Sequence, residues 1–403
     1  MNKNKLRRAA AIVGVGESDT FGFDTEKTSL TLHTEAILNA TKNAGISIDD
    51  IEGLFITGGA GRFPTIAMAE YLGIKPKYVD NTYVGGAGFI FFVNHAVAAI
   101  NAGMIDVAVI SHGEVGHSIR KRGNKGTGGG FSYDPWDPSM QFEQIYGLWG
   151  APAYYAHAMN RYMHEFNVTK DAFAQIAVVA REWATLNPQA VMHSKETNPF
   201  GGPIDIETVL NSRPIAWPLN LLDCCLVTDH GGAVVIASKD KANDFKNTPV
   251  WIEGSGEAIS HINMSQMKDM TMTSASESSK IAYEIAGMGP QDMEMAMLYD
   301  SFTYTAGVTA EMLGLAPRGE GTSLWNNNNA SPGGKFPINT NGGGLSYSHS
   351  GMYGILLLIE AQRQLSGKTE GLPGRQTTAK SAIVNGTGGP LASTGTIILT
   401  SDN

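Results

Sequence analysis

The residues best suited to chemistry lie between Asn339 and Gly354, in the sequence NTNGGGLSYSHSGMYG. Three successive glycines, Gly342 to Gly344, let the backbone approach a ligand closely and permit positive φ angles. His349 follows between two small residues and supplies an imidazole that titrates near neutral pH. An apolar run at 355–359 predicts a buried helix, so His349 is expected near a helix N-terminus, which favours anions. The stretch indicates an active-site turn; the alternative is a glycine-rich turn with a capping histidine.

The composition excludes several classes of protein. The 403 residues are 42% hydrophobic, which is enough for two or three domains with large cores. Acidic residues outnumber basic ones by 38 to 29 without a long run of either sign, so no nucleic-acid partner is expected. No apolar segment reaches the ~18 residues of a membrane span. The only cysteines, the adjacent Cys224 and Cys225, suit a reducing, cytoplasmic setting and cannot form a CxxC metal site.

Strands and helices that would position the active-site turn follow from the hydrophobic pattern, and they divide the chain into two similar halves. In the first half we predict strands at 10–15, 48–58, 78–84, 106–111 and 226–238, with helices at 31–44, 66–72 and 89–102. In the second half we predict strands at 250–253, 295–299, 381–385 and 395–400, with helices at 274–286, 304–313 and 351–365. In each half a glycine-rich turn (85–88; 342–344) precedes an unusually apolar helix. Such a repeat predicts a duplicated α/β core with helices between sheets.

The predicted domain boundaries follow from a change of character in the middle of the chain. Residues 1–112 with 219–245 are expected to form the first half, and 246–403 the second. Between them, 113–218 is rich in glycine and aromatic residues, above all at 131–155, and is predicted to be an inserted loop lobe. This lobe could form a substrate wall over the sheet; alternatively, its aromatic side chains supply the core of a loop-rich region.

Several stretches in order resemble the thiolase superfamily, most closely its sterol-carrier or lipid-transfer-type branch. They are 179–190, 223–233, Tyr-Asp-Ser-Phe at 299–302 and the glycine turn before His349. The resemblance covers essentially the whole chain. It implies the duplicated thiolase fold, with five layers in the order αβαβα, and a homodimer formed through the sheet edges of the first half.

The cysteine chemistry of that family is missing. In catalytic thiolases a nucleophilic cysteine lies at the start of the buried helix of the first half, where this chain has TyrValGlyGlyAlaGlyPhe with Gly85 or a neighbour at that position. Asn385 falls at the position of the second family cysteine. Cys224 and Cys225 precede a predicted buried strand and are interpreted as core residues. We therefore expect no acyl-enzyme.

Two other elements of the family site are retained in some form. His349 matches the histidine that activates the nucleophile and helps to hold the thioester oxygen. Tyr299 matches an Asn or His that orients a water in an oxyanion hole. The side-chain aldolases of steroid degradation also lack the cysteines and carry a tyrosine at the position of Tyr299, but they have a second tyrosine where this chain has His349. The resemblance implies a carbon–carbon lyase that cleaves a β-hydroxyacyl-CoA thioester by a retro-aldol reaction.

A retro-aldol reaction needs a base for the β-hydroxyl proton and donors that stabilise the thioester enolate. We predict that one of His349 and Tyr299 is the base and the other the donor. His349 is favoured as the base, since a tyrosine with an ordinary pKa of ~10 would need that pKa lowered. Tyr304, Tyr347 and Tyr353 are nearby in sequence and could replace Tyr299. The predicted oxyanion-binding glycines are Gly85, Gly86, Gly343, Gly344, Gly388 and Gly389, within turns that include 85–88 and 386–389.

The expected ligands and partners follow from the same resemblance. A CoA thioester is the expected substrate, and no permanently bound cofactor or metal is expected. Relatives of this branch often act with an OB-fold, zinc-ribbon protein, which would give a heterotetramer. Two alternatives to the lyase are a non-catalytic subunit that channels acyl groups with this partner and an acyltransferase that uses no cysteine.

Overall fold

The computed structural model describes residues 5–23, 25–58, 61–121 and 134–402, so residues 131–133 of the predicted aromatic stretch lie outside it. The strands in these ranges are β1 (Ala10–Glu17), β2 (Gly53–Ile56), β3 (Tyr78–Asp80), β4 (Val107–Val115), β5 (Pro214–Ala216), β6 (Leu219–Asn220), β7 (Asp229–Ser238), β8 (Val250–Ile259), β9 (Met295–Leu298), β10 (Ser381–Gly388) and β11 (Ser393–Ser401). The helices are α1 (Ser29–Ala44), α2 (Pro64–Leu72), α3 (Gly88–Asn101), α4 (Ser118–Lys121), α5 (Pro138–Phe142), α6 (Ala151–Phe166), α7 (Lys170–Leu186), α8 (Ile206–Leu210), α9 (Ala275–Ala286), α10 (Thr303–Met312) and α11 (Gly354–Leu365). None of these helices combines the length and apolar character of a membrane span.

Nine strands form one sheet in the order β3-β2-β4-β7-β1-β8-β11-β10-β9, and β5 pairs with β6. The strands of the two predicted halves stay on separate sides of this order. They join where β1 pairs with β8 through Ala11 opposite Trp251 and Ile12 opposite Val250. Because β1 and β8 pair only through these residues, each half keeps its own group of strands.

In both halves, a glycine in a strand lets an outer helix pack closely against that strand. In β1, a β-carbon on Gly16 would lie 2.2 Å from the backbone nitrogen of Ala40 in α1. In β8, a β-carbon on Gly256 would lie 2.2 Å from the carbonyl oxygen of Ser278 in α9. Only glycine allows this approach, since real β-carbons do not come so near to backbone atoms. The shared device supports the predicted duplication.

Helices α3 and α11 form the central layer. Each contacts strands from both halves, which explains why both are buried around most of their circumference. The outer faces are covered by α1 and α2 on the first half and by α9 and α10 on the second. The layers therefore follow the order αβαβα, and the predicted α/β thiolase-type architecture is confirmed.

The lobe helices α6 and α7 pack on the outer face of the second half, where their buried side chains join its core. The aromatic residues of this region divide into two groups. Tyr154 and Tyr155 are buried in the shared core, whereas Trp136, Tyr146 and Trp149 are exposed. The interpretation as core residues therefore applies to Tyr154 and Tyr155, and the substrate wall stays a prediction.

The structure corrects the expected position of His349. The predicted helix at 351–365 begins only at Gly354. Gly351 has a φ of +125°, which is incompatible with a right-handed helix, so the chain bends before the helix starts. His349 therefore precedes this bend and does not lie at the helix N-terminus.

A half-buried histidine links the edge of the first half to the second half. Nδ1 of His95 in α3 lies 2.5 Å from Oδ2 of Asp80 at the end of β3, and its Nε2 lies 3.3 Å from Oε2 of Glu257 in β8. The hydrogen bond to Asp80 is the main reason that the pKa of His95 rises to about 9, with Glu257 contributing. The charged histidine thus holds α3, whose N-terminus carries the turn at 85–88.

This pair predicts a pH-dependent stability. Because the folded-state pKa of His95 is above its unfolded value, its contribution is complete below about pH 6.5 and is lost as the pH rises through about 9. We expect His95→Gln to lower the free energy of unfolding by about 1–2 kcal/mol at pH 6, after allowance for solvent screening. Urea titrations of both proteins should show this difference disappearing near pH 10. An equal difference at both pH values would contradict the assignment.

Candidate active site

Tyr299 and His349 lie together, as predicted. The Oη atom of Tyr299 is 3.1 Å from Nε2 of His349, and both side chains are buried. Tyr299 directly follows β9, and its backbone N–H donates to the carbonyl oxygen of Asn385 in β10 at 3.1 Å. Asn385, at the position of the second family cysteine, donates through its amide to Oγ1 of Thr396 at 2.8 Å. The ends of two parallel strands therefore place Tyr299.

Tyr353 completes this pair through its backbone. Its N–H donates to Oη of Tyr299 at 2.9 Å, and its ring stacks near His349 with centroids 6.2 Å apart and planes 19° apart. The Tyr353 hydroxyl itself donates to Oδ1 of Asn341 at 2.8 Å. Tyr353 therefore does not replace Tyr299 but positions it, a role that side-chain type alone did not indicate.

The glycine turn at 85–88 packs directly on Tyr299. A β-carbon on Gly86 would lie 2.3 Å from Cε2 of Tyr299. A β-carbon on Gly85, where φ is +69°, would lie 2.9 Å from Cα of Gly388 and 3.0 Å from the nitrogen of Gly389. The predicted glycine turns at 85–88 and 386–389 therefore contact each other beside Tyr299.

The glycine turn that precedes His349 is held by a buried carboxylate. The N–H of Gly344 donates to Oδ1 of Asp300 at 2.7 Å, and the N–H of Gly343 donates to Oδ1 of Asn341 at 2.9 Å. Burial raises the pKa of Asp300 to about 7 against the effect of these backbone donors. The predicted use of Gly343 and Gly344 as oxyanion donors conflicts with these hydrogen bonds, because both N–H groups already have acceptors.

The backbone of His349 is fixed by a second set of polar contacts. Its N–H donates to Oγ1 of Thr228 at 3.0 Å, and its carbonyl oxygen accepts from the N–H of Thr228 at 3.0 Å. Oγ1 of Thr228 lies 2.8 Å from Oγ of Ser348, which lies 2.8 Å from Nδ1 of His230. Contacts from Thr228, the residue before β7, therefore position His349.

Tyr347 belongs to the far end of this network. Its hydroxyl donates to Glu17, which also pairs with Arg363 and lies 3.0 Å from Nε2 of His230. Burial opposes ionisation of Glu17, but Arg363 and the hydrogen bonds from His230 and Tyr347 keep the pKa of its carboxyl well below the usual range. Because its hydroxyl is used in this way, Tyr347 does not replace Tyr299.

Tyr304 is placed in a different core. Its hydroxyl donates to the carbonyl oxygen of Met270 at 2.9 Å, and its ring packs near Tyr162 and Phe173 on the outer face of the second half. Helix α10 turns this side chain away from the layer that contains His349. The structure thus does not bring Tyr304 to the site.

Burial keeps both central side chains uncharged at neutral pH. Loss of hydration lowers the pKa of His349 to about 4. Burial, with Cys225 and Tyr155 nearby, raises the pKa of Tyr299 well above its ordinary value of 10. Tyr299 is therefore a hydrogen-bond donor. The same burial makes His349 a weaker base than the sequence argument assumed.

The cysteine pair lies closer to the site than expected. The N–H of Cys225 donates to the carbonyl oxygen of Ser301 at 2.9 Å, and the N–H of Leu226 donates to that of Gly344 at 2.9 Å. Both cysteines are half-buried, whereas we expected core residues. Burial raises the pKa of Cys224 to about 12, so it is a thiol at neutral pH. Among the described residues, no group of three or more His, Cys, Asp or Glu side chains could hold a metal ion.

The comparisons with known proteins show the family of the chain. Residues 256–401 match the family model described as "Thiolase C-terminal domain-like". The chain is 34% identical over 370 residues to the 17-hydroxy-3-oxo-4-pregnene-20-carboxyl-CoA lyase of Mycobacterium tuberculosis, covering 90% of this chain and 92% of that protein. It is 32% identical over 396 residues to the steroid side-chain-cleaving aldolase of Thermomonospora curvata, covering 96% and 97% respectively.

The chain belongs to the thiolase superfamily. A solved structure described as "Ltp2-ChsH2(DUF35) aldolase" superposes on this thiolase-superfamily chain with a TM-score of 0.86 and 28% identity, over 99% of both chains. The predicted superfamily and its relation to the steroid side-chain aldolases are therefore confirmed. In this member, Tyr299 and His349 meet beside the glycine turn at 85–88.

The contact between Gly86 and Tyr299 gives a testable prediction. We expect Gly86→Ala to lower the free energy of unfolding by about 1–3 kcal/mol, because the new methyl group overlaps the Tyr299 ring. Gly88→Ala is the matched control, since its β-carbon would meet no atom closer than 3.5 Å. Urea denaturation followed by fluorescence measures both. Equal stability of the two variants would mean that Gly86 does not confine the ring.

Proposed function

We propose that this protein is a carbon–carbon lyase that cleaves a β-hydroxyacyl-CoA thioester by a retro-aldol reaction without a cysteine nucleophile. The observation that carries the proposal is the contact between Tyr299 and His349. The ring of Tyr299 packs on Gly86, in the turn where a thiolase is expected to have its nucleophilic cysteine. The lyase and aldolase relatives of similar length, at 34% and 32% identity, support the same reaction class. A CoA thioester is thus the proposed substrate rather than a resident cofactor.

The first half of the reaction is carbon–carbon cleavage. A base takes the proton of the β-hydroxyl, that oxygen becomes the carbonyl of the released ketone or aldehyde, and the bond to the α-carbon breaks. Its electron pair moves into the thioester as an enolate. Tyr299, neutral at physiological pH, donates its hydroxyl to the enolate oxygen and stabilises that charge in a water-poor site.

In the second step of the reaction, the enolate is protonated at its α-carbon. The α-carbon of the enolate takes a proton, which restores the thioester and shortens the acyl chain. His349 holds the Tyr299 hydroxyl at 3.1 Å in both halves of the reaction, so it positions the donor whichever group is the base. The turns that contain Gly85, Gly86, Gly388 and Gly389 adjoin Tyr299 and are the proposed surface for the thioester oxygen.

A bulky, steroid-like acyl group is the proposed substrate class. The names of both relatives refer to a steroid or to a pregnene carboxyl-CoA. In this chain the lobe exposes Trp136, Tyr146 and Trp149, which can contact a large apolar group or a partner protein. A scaffold without activity is a weaker proposal, because it has no chemical need for the buried Tyr299–His349 contact.

We also propose two kinds of association and a cytoplasmic location. The name of the solved relative includes a second component, ChsH2(DUF35), and a partner with an OB fold and a zinc ribbon is the corresponding proposal here. A homodimer would form along β3, an edge strand of the sheet beside which Val79, Phe63 and Ile66 are exposed. Two copies of each chain would then make a heterotetramer.

Turnover of a β-hydroxyacyl-CoA with a tertiary hydroxyl tests the reaction. With the partner present, we expect a ketone and a shortened acyl-CoA by mass spectrometry. Tyr299→Phe should lower kcat about 10²–10³-fold, since it removes the enolate donor, and His349→Ala should lower kcat by at least about 10-fold. Tyr283→Phe is the control, because Tyr283 lies on the outer helix α9 and its hydroxyl donates to the carbonyl oxygen of Leu313. Unchanged turnover in both site variants would disprove the site assignment.

Light scattering of the purified chain tests the proposed dimer. Val79→Glu places a charge on the β3 edge and should convert the dimer to a monomer, because a like charge on each copy would meet across the strands. Ile281→Glu, at an exposed position of α9, should leave the mass unchanged. If Val79→Glu has the same molar mass as the wild type, the dimer interface lies elsewhere or the chain forms no dimer.

A further inference from the structure

The hydrogen bonds around His349 determine which of its nitrogens carries the proton. The N–H of Gly351 donates to Nδ1 of His349 at 3.4 Å, so this nitrogen is an acceptor. The uncharged ring has one proton, which must then lie on Nε2. Nε2 therefore donates to Oη of Tyr299 across their 3.1 Å contact. In this tautomer Nε2 cannot accept a proton from a substrate.

The Tyr299 hydroxyl is consequently a donor as well. Its oxygen accepts from Nε2 of His349 and from the N–H of Tyr353, which uses both lone pairs. Its own hydrogen is left for a substrate oxygen. With His349 and Tyr299 both acting as donors, the pair stabilises an enolate well but provides no base for the β-hydroxyl proton.

A carboxylate lies against the bend that follows His349. Glu114 is the penultimate residue of β4 and lies on the same face of that strand as His112, whose ring contacts Phe89 of the central helix α3. A β-carbon on Gly351 would lie 2.5 Å from Oε2 and 2.9 Å from Oε1 of Glu114. The carboxylate thus rests on the residue whose N–H holds His349.

Glu114 is not an isolated side chain. Across the strand pair it lies opposite His230 of β7, and its charge acts on Tyr83 and Tyr299. Tyr83 is exposed, Glu114 is half-buried and Tyr299 is buried. A glutamate side chain is ordinarily ionised at neutral pH and can accept a proton.

We propose that Glu114 is the general base of the retro-aldol reaction, a role that rests on the proposed lyase function. Its carboxylate takes the β-hydroxyl proton as the carbon–carbon bond breaks, while Tyr299 donates to the enolate oxygen. The Tyr299 hydroxyl then delivers a proton to the α-carbon, and the proton held by Glu114 returns to Tyr299 through solvent. Protons and electron pairs balance without a covalent intermediate or a redox partner.

The test combines substitution with chemical rescue. Glu114→Ala should lower kcat about 10²–10⁴-fold, the range for loss of a general base, while the affinity for the product CoA thioester, measured by calorimetry, stays within about threefold. Formate should restore at least a tenfold higher rate, because a small carboxylate fits the space that the side chain leaves. Glu114→Gln keeps the shape and should be as inactive as Glu114→Ala. Glu277→Ala, exposed on α9, should keep full activity with no response to formate.

The outcomes separate this proposal from the one on which it rests. If the wild type turns over, two results would overturn the role of Glu114 and leave the lyase function standing. One is a Glu114→Ala rate within threefold of the wild-type rate, and the other is an inactive Glu114→Ala variant that formate does not rescue. No wild-type turnover with or without the partner would overturn the lyase function itself. If Glu114→Ala does not fold, a fully active Glu114→Gln would overturn the role of Glu114, since the amide cannot act as a base.

Discussion

The close contact between Gly86 and the ring of Tyr299 is the constraint on which the site depends. Any side chain at Gly86 would overlap that ring, because even a β-carbon would lie 2.3 Å from Cε2. A residue with a side chain at this position would therefore be incompatible with the observed place of the Tyr299 ring. With the ring in this place, its hydroxyl reaches both His349 and the N–H of Tyr353.

Much of the fold could be predicted because it depends on local patterns. The apolar runs located the strands of the large sheet, and the two glycine turns before apolar helices revealed the duplication. The errors concern ends: α11 begins at Gly354 rather than at 351, because the positive φ of Gly351 bends the chain first. Strands β4 and β8 extend beyond their predicted ends, since pairing with β7 and β11 continues after the apolar run stops.

The candidate site was predictable only in part, because side-chain partners come from distant segments. The contact of Tyr299 with His349 followed from the superfamily motifs. Motifs did not reveal that Tyr347 donates to Glu17 or that Tyr304 faces a different core. The Asp300 carboxylate that accepts from the N–H of Gly344, and the Glu114 carboxylate on Gly351, come from residues far away in sequence. Only the packing of β4 beside the bend at Gly351 brings that carboxylate to the site.

The most direct measurement of the central claim is a crystal structure with an unreactive amide analogue of a β-hydroxyacyl-CoA. The account predicts that the amide carbonyl oxygen lies about 2.7–3.1 Å from Oη of Tyr299. The β-hydroxyl should point toward Glu114, with continuous density for the acyl chain and no bond to either cysteine. An acyl group bound away from Tyr299, or joined covalently to Cys224 or Cys225, would contradict a lyase that works without a nucleophile.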